Sequence, residues 1–182
     1  MFRGLFTGVL LAFGLGPAVV PAADAWAPQV TILPGAPVRA DLVGEWFQSR
    51  MSTVEFTNPN TGSYSDPSGE HTNVRFFPDG SFKLGWLKQS ALYSCTMRLF
   101  GYKTGVYTLD ASGLRMEDRE ATLTSSDNCR PQWKYGKAVP LKSFVYEPHL
   151  GRTKYGIVLV LRRSDGKDEV YERETGKSLL RN

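Results

Sequence analysis

The sequence is poor in the side chains that most often build metal sites. It has two histidines, His71 and His149, and two cysteines, Cys95 and Cys129, among 182 residues. Neither histidine has a cysteine or another histidine at ligand spacing, so we expect no metal site and no cofactor. A large excess of one charge is also missing. The net charge of +4 is far below the basic density of a dedicated nucleic-acid binder, which predicts no nucleic-acid partner.

The sequence also lacks a convincing nucleophile with a base and an orienting group. Residues 68–71, Ser-Gly-Glu-His, are the one stretch in which the three side-chain types stand together. This stretch has no strand–turn–helix pattern around it of the kind that exposes a hydrolase serine. We therefore expect that the protein is not an enzyme.

Long apolar runs are absent except near the N-terminus, over residues 4–16. This run is shorter than the ~20 residues that span a bilayer, so we expect no transmembrane segment. Arg3 before the run and the small residues Ala23 and Ala25 after it predict a signal peptide over 1–25, although a retained membrane anchor is the alternative. Taking 25 residues from 182 leaves 157, the size of one domain, in a secreted or periplasmic protein.

With two cysteines in the sequence, one disulfide pairing is possible. An exported chain meets an oxidising compartment, so Cys95 and Cys129, which lie 34 positions apart, are expected to form a disulfide. Closing a loop of that length stabilises the fold by roughly 3–4 kcal/mol in chain-entropy terms.

Sustained helical periodicity is missing after the signal peptide, and short alternating runs take its place. The clearest lies at 74–86, where Asp79-Gly80 predicts a tight two-residue turn between two strands. Phe82, Leu84 and Trp86 then share one face of the second strand. The same pattern recurs along the chain and predicts nine or ten strands.

The expected organisation is a single all-β domain. An extended, loosely ordered lead-in occupies 26–41, the barrel 42–174 with its first strand at 42–50, and a polar tail 175–182. Further strands are predicted at 94–102, 104–110, 114–117, 121–125, 141–147, 155–161 and 169–173, with a long connection at 127–140 and a turn at 148–153. An antiparallel up-and-down barrel is favoured over a sandwich because closure removes exposed sheet edges.

With the first strand placed, the sequence resembles the lipocalin (calycin) family. The resemblance rests on Gly44-Glu45-Trp46 in that strand, on the long loop after it, on the series of hairpins and on Tyr171-Glu172-Arg173 in the last strand. The chain is also similar to a group of exported bacterial lipocalin-like proteins of unassigned function. The resemblance implies that Trp46 closes the bottom of the barrel and that Arg173 packs over it as a cation–π pair.

A barrel of about eight strands is either filled by side chains or just wide enough for one small ligand. The candidate ligand-binding residues are apolar and aromatic side chains on alternating faces, which are equally suited to an ordinary core: Phe76, Phe82, Trp86, Tyr107, Met116, Phe144 and Tyr146. The loop 57–71 is rich in turn formers and is either a surface loop or a lid with Tyr64 as its contact residue. Arg75 and Lys83 suit an anionic head group if their faces line the interior.

Besides an envelope hydrolase, for which no residue set in the sequence specifies a reaction, two functions remain open at this stage. The first is an exported carrier or sensor, a monomer that binds one small, mainly apolar ligand inside its barrel. The alternative is a protein-interaction module with a filled barrel, such as an inhibitor of a secreted enzyme or an envelope-assembly factor. The segment 130–137 mixes cations with Trp133 and Tyr135, and it is either a solvated loop or a site for an anionic surface.

Overall fold

The computed structural model describes residues 29–52, 60, 66–92 and 94–174. The predicted signal peptide at 1–25, most of the loop 57–71 including Tyr64, and the predicted tail at 175–182 lie outside the described residues. Ten strands are described: β1 (Thr31–Ile32), β2 (Gly44–Met51), β3 (Gly69–Phe76), β4 (Ser81–Leu92), β5 (Cys95–Asp110), β6 (Gly113–Asp127), β7 (Tyr135–Ala138), β8 (Ser143–Thr153), β9 (Gly156–Arg163) and β10 (Asp168–Arg173). A short helix, α1 (Arg39–Leu42), precedes β2, and a 3-10 turn spans Pro131–Trp133.

Eight of these strands form a closed antiparallel barrel, which confirms the predicted fold class. The strand order around the barrel is β2, β3, β4, β5, β6, β8, β9, β10 and back to β2. The two extra strands lie at its ends, with β1 paired to β8 and β7 paired to the distal half of β6. The closing seam between β10 and β2 is short, with Glu172 opposite Phe47 and Arg173 opposite Trp46, followed by one hydrogen bond from Glu174 N–H to Glu45 O at 2.9 Å.

The predicted hairpin at 74–86 is present, but its turn is longer than expected. Phe77 and Ser81 face each other across a backbone hydrogen bond of 2.9 Å, so the loop is Pro78-Asp79-Gly80. Gly80 has a φ of 90°, as the last residue of a three-residue hairpin loop requires. Asp79 Oδ1 accepts the backbone N–H of Ser81 at 2.8 Å and stabilises the turn.

Several predicted strands are pieces of longer ones. The runs at 94–102 and 104–110 are both part of β5, and the runs at 114–117 and 121–125 are both part of β6. The β5–β6 pairing accommodates one irregularity, between Thr104 and Gly105, without a break in either strand. The predicted connection 127–140 contains β7, which pairs with the distal half of β6.

The predicted turn at 148–153 was wrong, because β8 continues through Pro148 to Thr153. Proline removes a backbone donor and is tolerated where a strand is paired on one side only. Pro148 lies in such a place, between the part of β8 that pairs with β6 and the part that pairs with β1, while β9 pairs along its other side.

The N-terminal segment closes one end of the barrel. The first strand was predicted to begin at residue 42. Instead, Leu42 ends α1, and β2 begins at Gly44. Trp46 is fully buried, and its indole Nε1 donates to the carbonyl of Leu42 at 2.8 Å. Arg39 donates from Nη2 to the carbonyl of Pro78 at 2.9 Å, so α1 is tied to the β3–β4 turn. The lead-in is therefore more ordered than expected from residue 29 onward.

The hydrophobic core fills the half of the barrel next to α1. Its buried members come from α1 and seven strands: Leu42, Trp46, Val74, Phe76, Phe82, Tyr107, Leu114, Met116, Leu159, Leu161 and Tyr171. The continuous apolar run of β9 supplies two of them, as expected for a strand at the centre of the core. The predicted disulfide between Cys95 and Cys129 is confirmed and joins the start of β5 to the segment after β6. Among the described residues no helix is long and apolar enough to cross a membrane.

Candidate functional site

The open half of the barrel contains a cavity of about 610 Å³. It lies between the core and the end at which β2, β4, β6 and β9 finish, opposite α1. Its lining combines aromatic, aliphatic and charged side chains: Gln48, Arg50, Glu70, Thr72, Phe82, Leu84, Trp86, Lys103, Met116, Asp118, Phe144, Tyr146, Arg163, Lys167, Asp168, Glu169 and Tyr171. This volume falls within the ~300–1,000 Å³ typical of small-molecule sites.

Five of the seven predicted ligand-binding residues line this cavity: Phe82, Trp86, Met116, Phe144 and Tyr146. Phe82 and Met116 also belong to the buried core, so they form the cavity floor. The other two predicted residues, Phe76 and Tyr107, lie deeper, where their rings make an edge-to-face contact with centroids 4.9 Å apart. The barrel is therefore filled in one half and hollow in the other.

The cavity wall contains a buried ion pair that the sequence did not indicate. Lys103 Nζ lies 2.8 Å from Asp118 Oδ2, and the two side chains are 20% and 2% exposed. Asp118 Oδ2 also accepts the backbone N–H of Lys142 at 3.2 Å, and Lys103 Nζ lies 4.9 Å from the centre of the Phe144 ring. Lys103 shares the inward face of β5 with Tyr107, because the two residues are four positions apart in one strand. The sequence would have predicted an inward Lys103 if 94–110 had been treated as a single strand.

Arg75 and Lys83, predicted to serve an anionic head group if they faced inward, do not line the cavity. Both cations lie against the ring of Phe77, at 5.1 and 5.7 Å from its centre. Since Phe82 and Leu84 line the cavity, Lys83 between them belongs to the opposite face of β4. The charges at the cavity mouth come from β2, β3 and the β9–β10 turn instead.

Two tyrosines in the cavity wall titrate abnormally. Burial, aided by the nearby carboxylate of Glu169, raises the pKa of Tyr146 to about 12. The same two causes raise the pKa of Tyr171 well above its usual value. Tyr171 Oη donates a hydrogen bond to Glu169 Oε2 at 2.8 Å, which further favours its neutral form. Both rings are therefore uncharged hydrogen-bonding groups at neutral pH.

Part of the cavity wall lies between β2 and β10, beyond their short seam. In the described residues these strands pair at Phe47–Glu172 and Trp46–Arg173 alone. Beyond this seam, side chains of both strands line the cavity, among them Gln48 of β2 and Glu169 of β10. Side chains, without strand pairing, therefore form this part of the wall.

The end of the predicted lid loop is anchored beside the mouth. Ser68 Oγ accepts the backbone N–H of Ala91 at 2.8 Å, and Gln89 Nε2 donates to the carbonyl of Pro67 at 2.6 Å. Asp66 Oδ2 lies 2.8 Å from Arg98 Nη2. The lid role of Tyr64 remains a prediction because that residue is outside the described part of the chain.

The side chains of the 68–71 stretch point to different neighbours. Ser68 contacts β4, and Glu70 forms an ion pair of 2.7 Å with Lys88, which lowers the pKa of its carboxyl. His71 stacks on Phe47 with ring centroids 6.2 Å apart. This arrangement does not bring the three groups together as a catalytic set.

Another cleft, of about 550 Å³, involves the predicted cation–aromatic segment. Trp133 and Tyr135 line it together with Met97 and Leu99 of β5. Trp133 is 55% exposed, and the guanidinium of Arg130 lies 4.2 Å from its ring centre. The segment is thus an ordered part of the surface whose aromatic rings remain accessible to water.

Comparison with known proteins found no matching family model, no matching curated protein and no matching solved structure. The antiparallel eight-stranded barrel is compatible with a lipocalin-like fold.

Proposed function

We propose that this chain is an exported, non-enzymatic lipocalin-like protein that binds one small, mainly apolar molecule in the hollow half of its barrel. The observation that carries the proposal is the cavity of about 610 Å³ with the aromatic side chains of Phe82, Trp86 and Phe144 in its lining. Ligand sites are typically concave and apolar, with a few polar groups that fix orientation. The filled half supports this role, since it provides a rigid floor under the cavity.

The proposal is tested first with the protein purified from its own host. Native mass spectrometry before and after solvent extraction should show a discrete extra mass that extraction removes. A bare protein would leave open the loss of a weak ligand during purification, so binding of an apolar fluorophore, N-phenyl-1-naphthylamine, is measured in parallel. A bare protein that also fails to bind the fluorophore would contradict the proposal.

A matched pair of variants places the binding event inside the barrel. Gln48 lines the cavity, whereas its neighbour Ser49 is exposed on the outer face of β2. Gln48→Trp fills the hollow half and should abolish fluorophore binding, while Ser49→Trp adds the same ring outside and should preserve it. Equal binding by both variants would place the fluorophore elsewhere.

Export is proposed from the N-terminal sequence and is supported by the disulfide, which is typical of oxidising compartments. N-terminal sequencing of the protein recovered from the host should begin at Trp26. A chain that begins at Met1 and is recovered with the cytoplasm would contradict export while leaving the cavity intact. The protein-interaction alternative stays a prediction.

A further inference from the structure

The Lys103–Asp118 ion pair is a polar group in the cavity wall beside the apolar side chains of the floor. Lys103 Nζ and Asp118 Oδ2 are 2.8 Å apart, and both side chains line the cavity. Asp118 is 2% and Lys103 20% exposed, and removing two charged groups from most of their water costs desolvation that their mutual attraction repays only partly. A further polar contact, with a molecule in the cavity, would offset part of this desolvation cost.

The ammonium of Lys103 has unused hydrogen-bonding capacity. It carries three N–H donors, and among the described residues Asp118 is the one acceptor that it reaches. The ring of Phe144, 4.9 Å from Nζ, covers one side of the group but accepts no conventional hydrogen bond. Since Lys103 lines the cavity and is partly exposed to it, an oxygen acceptor placed in the cavity beside Nζ can accept a hydrogen bond from one of the remaining donors.

The charge balance decides what kind of acceptor fits. Asp118 already neutralises Lys103, so a second carboxylate at this depth would bury an uncompensated negative charge, which is strongly unfavourable. The carboxylates at the mouth are also paired, Glu70 with Lys88 at 2.7 Å and Asp168 with Arg162 at 2.9 Å. The three cations at the mouth, Arg50, Arg163 and Lys167, are exposed, and water and salt screen their attraction for an anion.

We infer that the ligand is a neutral molecule with an apolar body and one oxygen acceptor, a ketone or an alcohol, which accepts a hydrogen bond from Lys103 Nζ. Its body lies against Trp86, Met116 and Phe144, which line the same cavity. This inference rests on the proposed function and adds the chemical class of the ligand. Lys103 is then the residue that determines specificity.

Three probes with the same ten-carbon frame test the inference: butylbenzene, butyrophenone and 4-phenylbutyrate. Each is titrated against the full chain loaded with N-phenyl-1-naphthylamine, and displacement of the fluorophore is measured. Butyrophenone should bind about tenfold more tightly than either the hydrocarbon or the carboxylate, as one hydrogen bond to a charged donor allows. Tightest binding by 4-phenylbutyrate, or equal binding by all three, would overturn the inference and leave the proposed function standing.

A variant separates the role of the ion pair from the shape of the cavity. Lys103→Met alone leaves Asp118 buried and unpaired and risks misfolding. The double substitution Lys103→Met with Asp118→Leu replaces the pair by apolar side chains of similar size, which is often tolerated. It should bind butylbenzene at least as well as the parent and lose the preference for butyrophenone. A preference that survives in the double variant would overturn the inference.

The two proposals fail differently. If none of the three probes and no fluorophore binds the parent chain, the cavity is not a small-molecule site and both proposals fall. If the double variant does not fold, the ranking of the three probes on the parent chain still decides the inference.

Discussion

The guanidinium carbon of Arg173 lies 5.1 Å from the centre of the Trp46 ring, and Arg173 Nη2 donates to the carbonyl of Val43 at 2.9 Å. Gly44 leaves room for this contact, because a Cβ at that position would lie 3.3 Å from Arg173 Nη2 and the guanidinium would have to shift slightly. Gly44 also has a φ of 131°, a conformation that favours glycine. One side chain from the last strand thus links the start of the first barrel strand to the ring that closes the barrel.

Arg173→Ala is expected to destabilise the protein by about 1–3 kcal/mol, through loss of the cation–π contact and of the hydrogen bond to Val43. Chemical denaturation measures the change in the free energy of unfolding. Arg152→Ala, which removes an exposed arginine of β8, should change it by less than about 0.5 kcal/mol. Equal effects of the two substitutions would show that the Trp46 contact contributes little.

Removing the disulfide by the double substitution Cys95→Ser with Cys129→Ser should cost roughly 3–4 kcal/mol, because the 34-residue separation sets the entropy that the cross-link removes from the unfolded chain. Denaturation of the parent in the presence of a reducing agent should then match that of the double variant. If the midpoint of the parent does not move on reduction, the bond contributes little to stability.

The raised pKa values of Tyr146 and Tyr171 predict a loss of stability in alkali. Below pH ~10 both tyrosines are neutral in the folded and the unfolded chain. Above that pH the unfolded chain loses these protons first, so the free energy of unfolding falls by up to ~1.4 kcal/mol per pH unit for each tyrosine. For Tyr146 the loss is complete near pH 12, the folded pKa.

Denaturation at a series of pH values from 9 to 12 measures this slope, and Tyr171→Phe should flatten it. Tyr155→Phe is the matched control, because the Tyr155 side chain is 72% exposed, and it should leave the slope unchanged. A slope that is the same in all three proteins would contradict the assignment.

Gly101→Ala should disturb the cavity more than the fold. A Cβ at Gly101 would lie 2.2 Å from Trp86 Nε1, so the indole has to move from its place in the cavity lining. Weaker fluorophore binding and a shift of the tryptophan emission are the expected results. Gly136→Ala, where the nearest atom would be a Thr124 methyl at 3.3 Å, should change neither, and matching results for the two variants would contradict the role of Trp86.

The strands of the barrel could be predicted because the alternation of apolar and polar side chains depends only on residues that are close in sequence. The alternation of Phe82, Leu84 and Trp86 placed these side chains inside, as the structure shows. The predicted ends of strands were wrong where contacts between residues distant in sequence determine the backbone conformation. Leu42 is apolar like a strand residue, but its carbonyl is held by Trp46 at the end of α1. Pro148 predicted a turn, but β8 continues through it because the strand is paired there with β9 on one side.

The polar part of the site was not predictable from single residues. Lys103 and Asp118 lie on different strands, and nothing in their local sequence shows that they meet at 2.8 Å inside the barrel. Their contact depends on the register of β5 against β6, which shifts between Thr104 and Gly105. The division of the barrel into a filled and a hollow half depends likewise on where α1 closes one end.

The short seam between β2 and β10 leaves part of the barrel wall without strand pairing. Above Phe47 and Tyr171 the two strands do not hydrogen-bond to each other in the described chain, so alternate backbone amides of β2 at 48–51 lack a strand partner there. These amides should exchange with solvent deuterium much faster than those of β9, which is paired on both sides for much of its length. Since few backbone hydrogen bonds hold this seam, it should be the first part of the barrel wall to open.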